Sequence, residues 1–198
     1  MGDEFYTDAH RALQDRFGSR ALADRLTQVT VDERIAGWQR KVIERAPFFW
    51  LATADADGWP DVSYKGGLPG FVRVDEDGGA VSFPSYDGNG MYRSLGNIAA
   101  NPRVGLLFME LDRPKRIRVK GLATLVDAPD VVKNWAGAEL VVRVEIERSF
   151  PNCSRYIHKA DHLELSEFAP GGAHEPPVPE WKESEDFKPF LPPGGPPG

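Results

Sequence analysis

Phe83-Pro84-Ser85-Tyr86-Asp87-Gly88-Asn89-Gly90-Met91-Tyr92-Arg93-Ser94, running on to Asn101-Pro102-Arg103-Val104-Gly105-Leu106-Leu107-Phe108, reads as strand, glycine-rich turn, short helix, Asn-Pro stop and strand. The helix is expected over 91–100. Asn101-Pro102 ends it, because the residue before a proline is driven out of the helical region. Short strands flank this unit on both sides. Phe48-Phe49-Trp50-Leu51-Ala52-Thr53 is an apolar run, and Asp55-Ala56-Asp57-Gly58 is a turn signal. Asp61-Val62-Ser63-Tyr64-Lys65 alternates polar and apolar residues. Gly70 to Val74, Ala80 to Phe83, Arg116 to Gly121 and Glu139 to Glu147 continue the pattern, with Leu140, Val142, Val144 and Ile146 on one face of the last. Many short strands joined by turns predict a mainly β chain, a closed or nearly closed antiparallel β-barrel with flanking helices. The absence of regular strand-then-helix alternation argues against a doubly wound parallel sheet.

The flanks differ in texture. Residues 7–45 read as three helices, broken at Gly18 and ended by Pro47, with Ile35, Trp38 and Val42 on one face of the third. From Ala169 onward lie nine of the seventeen prolines, a composition that cannot build a core. The division expected is a helical extension over 1–46, a barrel over 47–168 and a Pro/Gly-rich arm over 169–198. In the arm, Pro176-Pro177-Val178-Pro179 has polyproline II character and Trp181 is an aromatic anchor. The arm either docks on an aromatic groove of another protein or packs on its own dimer.

The 198 residues carry a formal net charge of -6, with 41% hydrophobic and 27% charged residues. That balance supports a sizeable core, and an acidic chain is a poor partner for nucleic acid. No run approaches the apolar length of a membrane span, and no apolar leader opens the chain, so a cytoplasmic protein with no membrane partner is expected. Cys153 is alone and the four histidines are scattered, which leaves no metal-ligand cluster.

Four groups of residues carry chemistry. Glycines ahead of a helix let backbone amides approach an anion, and Arg93 and Ser94 in the first turn are placed to clamp a phosphate. A capped surface helix with an incidental arginine reads the same way. Period two sets Asp61, Ser63 and Lys65 on one strand face, where serine and lysine can share a phosphate. Gly66-Gly67 then permits close approach by a flat ligand; an ordinary exposed strand face is the plainer reading. Arg116, Arg118 and Lys120 also share a face, either solvated or neutralised by an anion. Asn152, Ser154 and Arg155 are hydrogen-bond donors around Cys153, itself more often a small buried hydrophobe than a nucleophile. No residue stands out as an essential acid or base.

Taken in order, Phe49 to Thr53, the Gly58 turn, Pro60-Asp61-Val62-Ser63, Asn101-Pro102-Arg103-Val104-Gly105-Leu106-Leu107-Phe108 and Arg116-Ile117-Arg118-Val119-Lys120-Gly121-Leu122-Ala123 resemble the pyridoxamine 5'-phosphate oxidase-related FMN-binding split-barrel family over roughly residues 45–127. The stretch Pro151 to Ile157 resembles one branch of it. The resemblance implies a six-stranded antiparallel split barrel that forms a homodimer with FMN at the subunit interface. It implies that Ser63, Lys65, Asn89, Arg93 and Ser94 hold the phosphate, with Gly66 beside them. Arg116 or Arg118 would lie near the flavin ring, and the loop from Asn152 to Arg155 would approach from the far end. Two features depart from the oxidase itself: the phosphate-clamping pair is Arg93-Ser94, one charge short, and no arginine-rich C-terminal substrate segment is present. The activity implied is that of an FMN-dependent oxidoreductase passing a hydride between a small molecule or nicotinamide and the flavin. A non-catalytic flavin sensor or store, and a split barrel that binds haem or F420, remain open beside it.

Overall fold

The computed structural model describes residues 5–113, 115–153, 155, 157–160, 162–173 and 175–191. Three helices come first: α1 (Asp8–Arg16), α2 (Arg20–Thr30) and α3 (Gly37–Arg45). Strands β1 (Phe48–Ala54) and β2 (Pro60–Gly66) form a hairpin with Ala54 opposite Pro60. Its turn is held by the Asp55 carboxylate, which accepts from the Asp57 and Trp59 amides at 3.0 and 2.9 Å. Then follow β3 (Arg73–Val74), β4 (Ala80–Tyr86), α4 (Arg93–Ala100), β5 (Arg103–Glu110), β6 (Lys115–Val126), α5 (Pro129–Val132), β7 (Ala138–Pro151) and α6 (Glu180–Glu183).

All strand pairs are antiparallel, in the order β2-β1-β5-β6-β7-β4-β3. The sheet therefore has seven strands, the extra one being the two-residue β3, which pairs only with Val81 and Ser82 of β4. Inward positions alternate along the strands as period two requires: Val104, Leu106 and Phe108 on β5, and Ile117 and Val119 on β6. The sheet rolls up on itself. Phe49 of β1 and Phe83 of β4 are separated by three intervening strands, yet their rings meet edge to face at 4.9 Å. Phe108 lies 5.0 Å and Phe71 6.0 Å from the same Phe49 ring. Aromatic packing thus closes the barrel where backbone hydrogen bonds do not, and the seam runs between β2 and the Phe83–Tyr86 end of β4. This is the mainly β split barrel the sequence predicts.

α3 lies against β3 and β5. It buries Gln39, Val42 and Ile43, while Trp38 is exposed, so the face expected through Ile35, Trp38 and Val42 is rotated by one position. Ile35 precedes the helix, which starts at Gly37, and therefore does not share its phase. The Gln39 amide oxygen accepts from Ser149 Oγ at 2.8 Å and from the Ala36 amide at 3.0 Å, which fastens α3 to β7. By contrast, α1 and α2 bury no residue, and Leu13, Phe17 and Leu22 stay exposed. In the arm, the residue fixed to the barrel is Lys182, buried and ion-paired to Asp87, rather than Trp181, which is partly exposed and edge-on to Phe187.

The register of β6 on β7 shifts between Lys120 and Gly121, a β-bulge. A Cβ on Gly121 would stand 2.1 Å from the backbone carbonyl oxygen of Glu145, a neighbour that cannot move without breaking the ladder. Gly121→Ala is therefore expected to destabilise the fold by about 1–3 kcal/mol, as overpacking does. A urea unfolding curve measures it, and an unchanged midpoint would show that the bulge adapts.

Candidate functional site

At the seam, the edge strand β2 and the outgoing end of β4 leave a cleft of about 290 Å3, covered at one end by the start of α4. β2 contributes Asp61, Ser63 and Lys65, the turn after β4 contributes Gly88, Asn89 and Gly90, and α4 contributes Arg93 and Ser94. Five residues singled out in the sequence, Ser63, Lys65, Asn89, Arg93 and Ser94, therefore line one cavity. Ser63 Oγ and Ser94 Oγ are 2.9 Å apart, so two hydroxyls from opposite walls converge on one point. Asn89 shapes the turn by accepting the Met91 amide at 3.1 Å, and Gly90 adopts φ +74°. Tyr92, the residue before α4, sits in the left-handed region at φ 48°, and its phenol donates to Glu139 at 3.1 Å. For a non-glycine residue that conformation is held against its intrinsic preference. Among the described residues no side chain caps α4, so its first-turn amides are free to meet an acceptor in the cleft. The helix is anchored by Leu95 and Ile98 in the core and by Asn97, which donates to Thr53 Oγ1 at 3.0 Å.

Lys65 is the half-buried cation of this cleft. Burial pushes its ammonium below the ordinary lysine range, against the attraction of Asp61. Among the described residues it has no ion-pair or hydrogen-bond partner. A desolvated, unpaired ammonium beside two hydroxyls and a helix N-terminus is an arrangement that an anion would complete.

The other sequence candidates lie elsewhere in the protomer. Gly66 lines the neighbouring cleft under residues 163–170, which shares Tyr86 with the first. Arg118 and Asn152 line a cavity beneath α1 and α2. Arg116 lies one step up β6, with its Nε buried and without a hydrogen-bond partner among the described residues. Arg155 is exposed, its amide donating to Cys153 Sγ at 3.4 Å, and Ser154 lies outside the described residues. Tyr86, Ser85 and Tyr92 were not singled out, although they line the cleft. Burial pushes the Tyr86 phenol up, which keeps it a neutral donor at pH 7. The Asp87–Lys182 ion pair, which ties the arm to the turn, left no sequence signal because its partners are 95 residues apart. Among the described residues no group of histidine, cysteine and carboxylate side chains could hold a metal ion, and no helix is long and apolar enough to cross a membrane.

Comparison with known proteins gives the family. The family model described as pyridoxamine 5'-phosphate oxidase matches residues 38–163, and the chain belongs to that family. A search of curated proteins returned no match. Among solved structures, HupZ of Group A Streptococcus is 20% identical, covering 64% of this chain and 98% of its own, at a TM-score of 0.48. HutZ, the heme storage protein from Vibrio cholerae, is 19% identical, covering 59% and 94%, at 0.43. An FAD-binding protein from Mesorhizobium loti is 18% identical, covering 62% and 99%, at 0.41.

The state of Lys65 makes a prediction for the ligand-free protein. Its folded pKa is depressed below the ordinary 10.5, so the unfolded chain binds its proton more tightly. The charge therefore costs stability at neutral pH, fully so below the folded pKa, and the cost fades as pH rises toward 10.5. Lys65→Met should raise the thermal midpoint of ligand-free protein near pH 7, with a gain that shrinks on the alkaline side. A variant less stable than the parent at pH 7 would show that the ammonium is compensated within the chain.

Proposed function

We propose that this member of the pyridoxamine 5'-phosphate oxidase family binds FMN by its phosphate in the seam cleft and acts as an FMN-dependent oxidoreductase. The observation that carries the reading is the convergence of Ser63, Ser94, Lys65 and Arg93 on one cavity at an uncapped helix N-terminus. The donor set fits a phosphate monoester: two hydroxyls, an ammonium, a guanidinium and backbone amides, every one able to donate to a dianion. Ser63 and Lys65 would hold it from β2, and Asn89, Arg93 and Ser94 from the turn and helix. When bound, the flavin supplies acceptance and release of a hydride, exchanged with a small organic molecule or a nicotinamide. The chain supplies position and charge.

A homodimer belongs to this reading. The outer face of β2, β1 and β5 carries Val62, Tyr64, Trp50 and Leu107, with Trp50 opposite both Tyr64 and Leu107. Val62 and Tyr64 are more than 60% exposed in the single chain. A contiguous apolar strip of this kind marks an interaction surface, and a two-fold dimer is the commonest way to cover one. Arg118 stands opposite Leu107 on β6, at the margin of the strip. A partner docked there would bring the Arg116–Arg118 segment to the shared boundary, which supports a role for these arginines toward a flavin ring held by the other chain.

Lys65→Met combined with Arg93→Ala tests the clamp. Each charge-assisted contact is worth about 1.5–3 kcal/mol, so the double variant should bind FMN at least about a hundredfold more weakly and purify colourless. Flavin content equal to the parent's would reject the assigned cleft. The visible spectrum of the purified parent separates flavin from haem or F420, and reduction by NADH or NADPH followed by reoxidation by an acceptor separates an oxidoreductase from a flavin store.

A further inference from the structure

The C-terminal arm reaches the seam through a buried charge. Lys182 of α6 is only 5% exposed and is ion-paired to Asp87. Its ammonium lies 5.5 Å from the Trp181 ring centroid, and Trp181 meets Phe187 edge to face at 5.7 Å. Lysine is almost never so deeply buried unless its charge is paired, so the position of Lys182 depends on Asp87. Asp87 lies inside the span matched by the family model, whereas Lys182 lies beyond its end at residue 163. The contact is therefore made from outside the matched span.

Three observations set Asp87 against the phosphate end of the seam cleft. Its chain neighbours Tyr86 and Gly88 both line that cleft. Asp87 itself lines the adjoining cleft, which shares Tyr86 with the first. Its charge also reaches Tyr92 at the start of α4, where the hydrogen bond to Glu139, and Asp87 with it, holds the phenol above the ordinary tyrosine range. The walls of the seam cleft carry Lys65 and Arg93 against Asp61. A bare carboxylate at Asp87 would offset the positive charge left over, in the place where a dianion is to be held. Lys182 cancels that carboxylate without itself lining the cleft.

We propose that Lys182 is a positioning residue of the cofactor site that acts through Asp87. By neutralising this carboxylate it keeps the Asp87–Gly90 turn and the start of α4 attractive to a phosphate. The Pro-rich arm is then a working part of the site, and FMN affinity and arm docking are coupled: each favours the other. The inference rests on the reading of the seam cleft as the phosphate site.

The test measures FMN and riboflavin binding, by quenching of flavin fluorescence, in the full-length parent, in Lys182→Met and in Lys182→Met combined with Asp87→Asn. Methionine keeps the apolar stem of Lys182, and the thermal midpoint reports that each variant folds. Lys182→Met should weaken FMN binding about tenfold, as an uncancelled charge beside a dianion does, and leave riboflavin binding unchanged. Adding Asp87→Asn should return FMN affinity to within about threefold of the parent, although the ion pair is still missing. A mere anchoring role for Lys182 would not be rescued in this way. FMN affinity in Lys182→Met equal to the parent's would overturn the proposal. So would a loss that Asp87→Asn fails to restore, or an equal loss for riboflavin. A parent that binds FMN no more tightly than riboflavin would instead reject the phosphate clamp itself, a result read before any variant is compared.

Discussion

The contact of Phe49 with Phe83 is the constraint from which the functional geometry follows. These residues sit on strands that share no hydrogen bond, and their rings pull the two ends of a seven-stranded sheet together. Such a closure leaves the edge of β2, and the edge of β4 beyond its short pairing with β3, unpaired. Edge strands invite unwanted pairing and need a cover. Here α4, entering through Tyr92 in a left-handed conformation, supplies that cover and points its N-terminus into the gap. The cleft is therefore the remainder of incomplete barrel closure, and its donors come from both sides of the seam.

Function and stability pull against each other at this place. The aromatic core favours closure, while Lys65 carries a charge into half-buried surroundings that disfavour it. The two serine hydroxyls of the seam are hydrogen-bonded to one another. A protein selected only for stability would fill the seam with apolar residues. The retention of an ammonium there is the kind of local conflict that marks a binding site.

Much of this was legible in the sequence, because the signals were local. Period two on β2 put Ser63 and Lys65 on one side, and the Asp87–Gly90 turn with Asn101-Pro102 bounded α4 and set Arg93 and Ser94 in its first turn. Asp55 and Gly58 marked the hairpin correctly for the same reason. What sequence could not show is which distant pieces meet. Tyr86 enters the cleft because the barrel curls, Gly66 falls into the adjoining cleft because β2 runs past the seam, and Lys182 reaches Asp87 from 95 residues away. Trp38 misled because its spacing from Ile35 and Val42 assumed a helix longer by one turn than the one that forms. The cleft beneath α1 and α2 gathers Arg118, Lys120 and Asn152, which the sequence marked, with Phe5 and Tyr6, which it did not.

The most direct measurement compares FMN with riboflavin, which has the same ring and no phosphate, by quenching of flavin fluorescence on the unmodified protein. If the seam grips the phosphate through Ser63, Ser94, Lys65 and Arg93, FMN binds at least about a hundredfold more tightly, as expected for two or more charge-assisted contacts. Equal affinity for the two compounds would contradict the account, because the ring alone would then be holding the ligand.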